Sequence, residues 1–228
     1  MPNGRSAVFE LTAIAGSIPL VPITLEIMKI KSAVFDLSAP DLKSCPASAL
    51  PEFAFIGRSN VGKSSLINML SGQRELAKVS DMPGKTKLIN FFLINDSWHL
   101  VDLPGYGYAK AAKADRNEFN KAVGDYLEKR RNVSCVFVLI DSRIPPQQID
   151  LEFLDWLGDC SVPFVLVFTK TDKQSASASQ QNIELFKKTM SESWDELPDT
   201  FISSSKTKAG RSEILGFIQQ NLENQNRA

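Results

Sequence analysis

The segment from Phe53 to Leu70 constrains the fold of this chain more than any other. It reads FAFIGRSNVGKSSLINML, an apolar run followed by Gly-x-x-x-x-Gly-Lys-Ser and then by a helical pattern. Such a strand, glycine-rich loop and helix turn successive backbone N–H groups toward the oxygens of a phosphate. The positive end of the following helix points at the same anion. The segment therefore predicts a P-loop that binds a nucleoside phosphate.

Two side chains of this loop have predicted roles of their own. Lys63 is placed to reach the β- and γ-phosphates, where it would stabilise charge, and the Ser64 hydroxyl is placed to ligate Mg²⁺. The predicted nucleotide contacts of the loop are Gly57, Arg58, Ser59, Asn60, Val61, Gly62, Lys63 and Ser64.

Beyond the P-loop, short apolar runs alternate with helical patterns as far as the C-terminus. The predicted strands are 53–57, 88–94, 98–102, 134–141, 162–169 and 200–203, and the predicted helices are 63–70, 115–131, 147–157, 179–194 and 211–223. Only three residues, Asn95 to Ser97, separate two of these strands, which must therefore be antiparallel. We expect a three-layer α/β fold of the P-loop NTPase type, with a mostly parallel sheet of about six strands, one antiparallel edge strand and helices on both faces.

Ligand sites of such sheets lie at the carboxyl ends of the strands, and Asp102-Leu103-Pro104-Gly105 follows one of them. The Asp102 carboxylate is placed to hold Mg²⁺ through water, and the Gly105 amide to sense a γ-phosphate. Thr86, in the polar loop Pro83-Gly84-Lys85-Thr86, offers a hydroxyl that would complete the metal shell. By itself each motif is also compatible with an ordinary turn.

The segment Thr169-Lys170-Thr171-Asp172 follows another buried strand and indicates which base is bound. A carboxylate at Asp172 accepts hydrogen bonds from both the N1–H and the N2–H₂ of guanine, whereas adenine lacks that pair of donors. The stem of Lys170 can lie along the purine face. Ser203, Ser204, Ser205 and Lys206 come at the next strand end, where backbone N–H groups can reach guanine O6. Their order after a P-loop favours GTP and GDP as ligands.

Composition limits the remaining classes of function. The 26 basic residues are balanced by 26 acidic ones, so any contact with nucleic acid must come from a local patch. The three cysteines are widely spaced, which is typical of reduced thiols in a cytoplasmic protein, and a single histidine, His99, excludes a histidine metal cluster. Prolines interrupt the apolar part of residues 1–27, which we interpret as a poorly ordered extension or as sequence upstream of a start at Met28. Residues 28–228 are predicted to form one domain.

With these motifs, the sequence resembles the translation-factor-related P-loop GTPases and, among them, the EngB/YihA/YsxC group of bacterial ribosome-biogenesis GTPases. The resemblance extends from Val34 to Leu222. Its marks are Ser38-Ala39-Pro40, Gly57 to Ser65, Pro83 to Thr86, Asp102 to Tyr108, Thr169 to Asp172 and Ser204-Ser205.

The resemblance implies roles for further residues and for partners. It makes Ser64 and Thr86 the Mg²⁺ ligands and adds Gly84, Lys85, Thr86, Lys87 and Leu88 to the nucleotide site. It also implies GTP hydrolysis, a role in assembling the large ribosomal subunit and support of septation during cell division. We expect neither a membrane nor DNA as a partner, and we expect a monomer.

The position after Asp-x-x-Gly is Tyr106, where Ras-like enzymes have a glutamine that orients the attacking water. An aromatic ring cannot orient water as an amide does, so we expect slow intrinsic hydrolysis that depends on a partner or on a monovalent cation. Asn60 matches the asparagine with which related GTPases coordinate K⁺; alternatively, Asn60 only supports the loop. The segment Gly105 to Arg116 could couple the nucleotide state to RNA contact through Lys110, Lys113 and Arg116, or it could be a solvated basic loop.

Two other functions are compatible with parts of the sequence. The protein could be a non-hydrolysing, guanine-nucleotide-dependent scaffold or cell-division regulator, which Tyr106 leaves open. An ATP-using kinase of the P-loop type is disfavoured by Thr169 to Asp172 and by the lack of an arginine-rich lid segment.

Overall fold

The computed structural model describes residues 5–6, 28–77, 88–106, 113–225 and 227, with the backbone alone at 5–6 and 113–120. Its strands are β1 (Arg5–Ser6), β2 (Ala33–Ala39), β3 (Glu52–Gly57), β4 (Ile89–Ile94), β5 (Trp98–Asp102), β6 (Val133–Asp141), β7 (Phe164–Thr169), β8 (Trp194–Glu196) and β9 (Thr200–Ile202). Its helices are α1 (Lys63–Ser71), α2 (Lys113–Lys129), α3 (Gln148–Asp159), α4 (Ala176–Met190) and α5 (Arg211–Gln225).

Seven of these strands form one sheet in the order β2-β4-β5-β3-β6-β7-β9, while β1 pairs with β8 in a separate two-stranded sheet. Strands β5, β3, β6, β7 and β9 are parallel, and β4 runs antiparallel to both of its neighbours, β2 and β5. The predicted α/β class, with antiparallel pairing at one edge of a mostly parallel sheet, is confirmed.

The outermost strand at that edge, β2, was not predicted. Its sequence AVFDLSA does not alternate cleanly, because the register against β4 shifts between Phe35 and Leu37. Such a bulge places Asp36 outside the regular ladder and hides the period-2 pattern. Helix α4 is also displaced from its predicted range, since the Ser175 side chain accepts a hydrogen bond from the Ala178 N–H and caps the helix there.

The two faces of the sheet are covered by different helices. Along β6, Val136, Val138 and Ile140 pack with α2, α3 and α4, whereas Cys135, Phe137 and Leu139 pack on the other face with α1 and α5. Burial on both faces explains why β6 and β7 are continuous apolar runs. No helix in the described ranges is long and apolar enough to cross a membrane.

This packing fixes the position of the polar loops. Because β3, β5, β6, β7 and β9 are parallel, their carboxyl ends meet at the same edge of the sheet. The segments at the ends of β3, β5, β7 and β9 contain most of the residues predicted to bind the nucleotide, whereas residues 84–88 come just before β4 in the sequence.

Candidate functional site

The loop between β3 and α1 has a backbone that requires glycine at both ends. A Cβ atom on Gly57 would lie 2.7 Å from the carbonyl oxygen of Leu139 and 2.9 Å from Val61 Cγ1. Gly62, which caps α1, has φ +107°, a value that favours glycine. Helix α1 then begins at Lys63, so the first N–H groups of the helix face the loop. The local sequence thus builds a glycine-dependent loop that leads into a helix N-terminus, which is the backbone course that the motif predicted.

Lys63 and Asp102, the two charged residues predicted for the phosphates and for Mg²⁺, form an ion pair in this structure. The side chain of Lys63 is 10% exposed and that of Asp102 is 5% exposed. Strand pairing brings them together, because Asp102 at the end of β5 is opposite Phe55 in β3. Each side chain therefore compensates the charge of the other where water is largely excluded.

Gly105 brings a second loop into contact with the P-loop. A Cβ atom at this position would lie 2.6 Å from the carbonyl oxygen of Gly57, so the two backbones approach too closely for any side chain. The next residue, Tyr106, pairs with Arg58 in a parallel backbone bridge. The Leu103 N–H donates to the carbonyl oxygen of Phe55 over 3.0 Å. The predicted γ-phosphate sensor is consequently held beside the first turn of the P-loop.

The residues predicted to surround the base also contact the P-loop. Thr169 Oγ1 donates to the carbonyl oxygen of Val61 over 2.6 Å. Lys170, in the left-handed conformation at φ +62°, donates through Nζ to the carbonyl oxygen of Asn60. The same Nζ donates to Asp141 Oδ2 over 2.8 Å, so the stem of Lys170 is held at both the loop and the end of β6. This fixed stem is placed to form one wall of a base pocket.

Asp172 has one carboxylate oxygen that accepts a hydrogen bond and one that has no donor among the described residues. Oδ1 accepts a hydrogen bond from Ser204 Oγ over 2.6 Å, and that hydrogen bond lowers the pKa of Asp172. Oδ2 is buried and accepts no hydrogen bond from any residue in the described ranges, although Lys173 Nζ lies 3.9 Å away. A buried carboxylate oxygen without a donor is costly, and the two donors of a guanine edge would remove that cost. The arrangement fits guanine.

The turn after β9 supplies fewer free donors than the sequence indicated. The Ser204 N–H donates to the carbonyl oxygen of Ala209 over 3.2 Å, so it is engaged within the turn. Ser203 contributes its carbonyl oxygen, which accepts from both the N–H and the hydroxyl of Thr171. The exposed Ser205 follows in the same turn. Among the backbone N–H groups predicted to reach guanine O6, those of Ser205 and Lys206 are therefore better placed than that of Ser204.

Part of the predicted site lies outside the described residues. Gly84, Lys85, Thr86 and Lys87 belong to this part, as does Lys110, and at Lys113 and Arg116 only the backbone is described. Leu88 is described and lies exposed just before β4. The Ser64 hydroxyl and the Asp102 carboxylate offer oxygen ligands of the kind that Mg²⁺ prefers, so the described part of the predicted metal site fits that ion. The roles of these residues stay predictions.

Asp141 is a charged residue of the site that the sequence reasoning missed. It receives two hydrogen bonds from the Arg143 guanidinium, at 2.9 and 2.8 Å, in addition to that from Lys170. Burial by itself raises the pKa of Asp141, but these hydrogen bonds outweigh burial and lower the pKa to about 2. Because Asp141 ends a predicted strand, the same carboxyl-end rule that singled out Asp102 could have found it.

The fold and the site together define the class of P-loop GTPases. The family of 50S ribosome-binding GTPases matches residues 52–170, a range that spans β3 to the first part of the base segment. Solved structures agree on the fold: a crystal structure of a probable GTP-binding protein EngB covers 76% of this chain and 99% of its own, with a TM-score of 0.61 and 22% identity. A variant of Era from Aquifex aeolicus in which one tyrosine is replaced by alanine, bound to GDP and aluminium fluoride, has the same TM-score and identity over 75% of this chain and 56% of its own.

Within that class, the chain belongs to the EngB family of GTP-binding proteins. It is 55% identical over 192 residues to the probable GTP-binding protein EngB of Christiangramia forsetii, covering 84% of this chain and 97% of the relative. It is 54% identical over 191 residues to that of Porphyromonas gingivalis, covering 84% and 95%. The corresponding protein of Bacteroides thetaiotaomicron is 52% identical over 192 residues, covering 84% and 95%. The family resemblance inferred from the motifs is confirmed.

Proposed function

We propose that this protein is a GTP-dependent switch that hydrolyses GTP slowly to GDP and phosphate. The observation that carries the proposal is the largely buried Asp172 carboxylate, which has one oxygen held by Ser204 and the other without a hydrogen-bond donor among the described residues. Thr169 and Lys170 donate hydrogen bonds to carbonyl oxygens of the P-loop, so the proposed phosphate and base sites are directly connected. A kinase that uses ATP has no need of this carboxylate.

In the proposed reaction, water attacks the γ-phosphorus in line with the leaving oxygen. Lys63 exchanges Asp102 for the β- and γ-phosphates and stabilises the charge that develops there, while the Gly105 amide donates to a γ-phosphate oxygen. Ser64 and Thr86 would hold Mg²⁺, which would supply additional neutralisation of the phosphate oxygens. The hydroxyl of Tyr106 is bonded to Asp150, at 2.9 Å, and so does not orient water. Slow turnover follows from that arrangement.

The base specificity is tested by Asp172→Asn. An asparagine amide presents a donor where guanine also presents one, whereas xanthine has an acceptor, its O2 carbonyl, at that place. We expect GTP affinity to fall roughly 100-fold or more and affinity for xanthosine triphosphate to rise, measured with fluorescent nucleotide analogues. Asp195→Asn, at an exposed carboxylate, is the matched control. A variant at Asp172 that keeps wild-type GTP affinity would refute the assignment of the base.

The catalytic part of the proposal includes a monovalent cation. Asn60 is held at φ +63° with its carbonyl oxygen accepting from Lys170, so its side chain is presented from a fixed backbone. In the proposal, Asn60 coordinates K⁺ next to the phosphates. Turnover should then be faster in K⁺ than in Na⁺ of equal ionic strength, and Asn60→Ala should abolish the difference. Equal rates in the two cations would remove K⁺ from the mechanism.

The proposed partner is the large ribosomal subunit, in the cytoplasm, with the protein acting as a monomer in subunit assembly and thereby supporting cell division. The family description, 50S ribosome-binding GTPase, supports this partner. A structural neighbour, Era, has been crystallised with MgGDPNP and a segment of 16S ribosomal RNA, and this chain matches 56% of the Era chain.

Co-sedimentation with isolated large and small subunits tests the partner. Wild-type protein should pellet with large subunits in the presence of a non-hydrolysable GTP analogue and not in the presence of GDP. The Asp172→Asn variant should pellet with them only in the presence of a non-hydrolysable analogue of xanthosine triphosphate. Binding that ignores the nucleotide would argue against a switch. Absence of binding to both subunits, together with undetectable turnover, would favour the alternative of a nucleotide-dependent scaffold.

A further inference from the structure

Asp150 is a buried carboxylate of α3 to which none of the predicted roles applies. Its side chain is 1% exposed. Oδ1 accepts a hydrogen bond from the Tyr106 hydroxyl over 2.9 Å and lies 3.1 Å from Arg58 Nε. Oδ2 is buried and without a hydrogen-bond partner in the part of the chain that the structure describes. Burial raises the pKa of Asp150, which the Arg58 guanidinium opposes. Burying a carboxylate of this kind costs free energy, even when it is paired with a cation.

Both partners of Asp150 come from loops of the nucleotide site. Arg58 directly follows Gly57 in the P-loop, and Tyr106 directly follows Gly105, the predicted γ-phosphate sensor. The backbones of Arg58 and Tyr106 also pair in a parallel bridge. One carboxylate on a helix outside the site thus joins the two loops through their side chains, in addition to the backbone contact.

The Tyr106 ring strengthens the connection to α3. It stacks on Phe153, one turn after Asp150, with ring centroids 4.3 Å apart and an interplanar angle of 25°. The hydroxyl and the ring of Tyr106 therefore both bind to the same helix face. Movement of the Gly105 loop away from the P-loop would have to break this stack and the hydrogen bond to Asp150 together.

We propose that Asp150 is a positioning residue that, through Arg58 and Tyr106, fixes the loop whose amide senses the γ-phosphate. The proposal rests on the proposed GTP-binding function and assigns it a specific device: discrimination of GTP from GDP depends on an acid in α3. The P-loop is held independently by hydrogen bonds from Thr169 and Lys170 to its carbonyl oxygens. Loss of Asp150 should therefore spare the α- and β-phosphate contacts and weaken the γ-phosphate contact.

The test compares GTPγS and GDP affinities of full-length wild type, Asp150→Asn and Tyr106→Phe with fluorescent analogues. Asp150→Asn removes the charge with little change in shape, and Tyr106→Phe removes one hydroxyl while keeping the ring on Phe153. We expect each variant to bind GTPγS about tenfold more weakly, with GDP affinity changed by less than about twofold. Because both variants weaken the same contact between Asp150 and the Tyr106 hydroxyl, the double variant should lose less than the product of the two single losses.

Glu152→Gln, at an exposed carboxylate of the same helix, is the matched control and should keep both affinities. A merely structural role for Asp150 would lower the melting temperature and weaken both nucleotides equally, and this outcome would overturn the proposal. Unchanged GTPγS affinity in Tyr106→Phe would also overturn it, even if Asp150→Asn fails to fold. Wild-type protein that binds neither nucleotide would instead refute the proposed function, so the two failures are distinguishable.

Discussion

Glu52 and Arg130 offer a direct test of how the strand before the P-loop is held. Glu52, the first residue of β3, is fully buried. Its carboxylate accepts from the Tyr126 hydroxyl over 2.8 Å and from Arg130, whose Nε lies 3.1 Å from both oxygens and whose Nη2 lies 2.5 Å from Oε1. Arg130 Nη2 also donates to the carbonyl oxygen of Pro46 over 2.7 Å. The pair therefore joins the start of β3 to the chain just after α2.

The expected magnitude follows from the burial of the two partners. Removing one member of a buried ion pair costs about 3–5 kcal/mol, because the other charge stays without compensation. Glu52→Gln leaves Arg130, whose side chain is 15% exposed and keeps its bond to Pro46, so the cost should be near the lower limit, about 3 kcal/mol. Arg130→Gln leaves a carboxylate with 0% exposure and should cost more, about 4–5 kcal/mol.

Urea and thermal unfolding followed by circular dichroism measure these costs. For a chain of this size, about 3 kcal/mol lowers the melting temperature by roughly 6–12 °C. The control is Lys129→Gln, which breaks an exposed ion pair with Asp125 in the same helix and should leave the melting temperature nearly unchanged. Combining Glu52→Gln with Arg130→Gln removes both charges, so the double variant should lose less than the sum of the two single losses. Equal small effects for Glu52→Gln and Lys129→Gln would refute the reasoning.

Two further predictions concern backbone strain and pH. Gly210 has φ +79°, and a Cβ atom there would lie 2.2 Å from the carbonyl oxygen of Ile202. Gly210→Ala should therefore lower the free energy of unfolding by about 2 kcal/mol or more. Gly216, in α5 with open space around it, is the matched glycine: Gly216→Ala should stabilise by about 0.5–1 kcal/mol in the same unfolding assay. The pKa of Asp141 is lowered from 3.8 to about 2, so its stabilising contribution is present above about pH 4 and is lost as the pH falls toward 2. Between pH 5 and pH 2, the melting temperature should therefore fall more steeply with decreasing pH for wild type than for Asp141→Asn. Parallel curves for the two proteins would contradict the assigned hydrogen bonds.

The parts of the site that could be predicted from the sequence are those built from local backbone. Gly57 and Gly62 are required by the course of one loop, and the motif that encodes the loop is contiguous. Asp102 and Asp172 were found because each follows an apolar strand, and parallel strands bring their carboxyl ends to one edge. The strand β2 was missed because a bulge at an edge disrupts the alternation on which strand prediction depends.

The sequence by itself therefore determined the class of fold, the course of the P-loop and the place of the segment proposed to bind guanine, because each depends on periodicity or on residues adjacent in the chain. Only the tertiary structure decided which charges pair. Lys170 with Asp141, Arg130 with Glu52, and Asp150 with Arg58 and Tyr106 all join different elements. Their pairing depends on the order and orientation of the strands, which is a non-local property. A carboxylate in a sequence has no assigned partner until the sheet places a donor within about 3 Å of it.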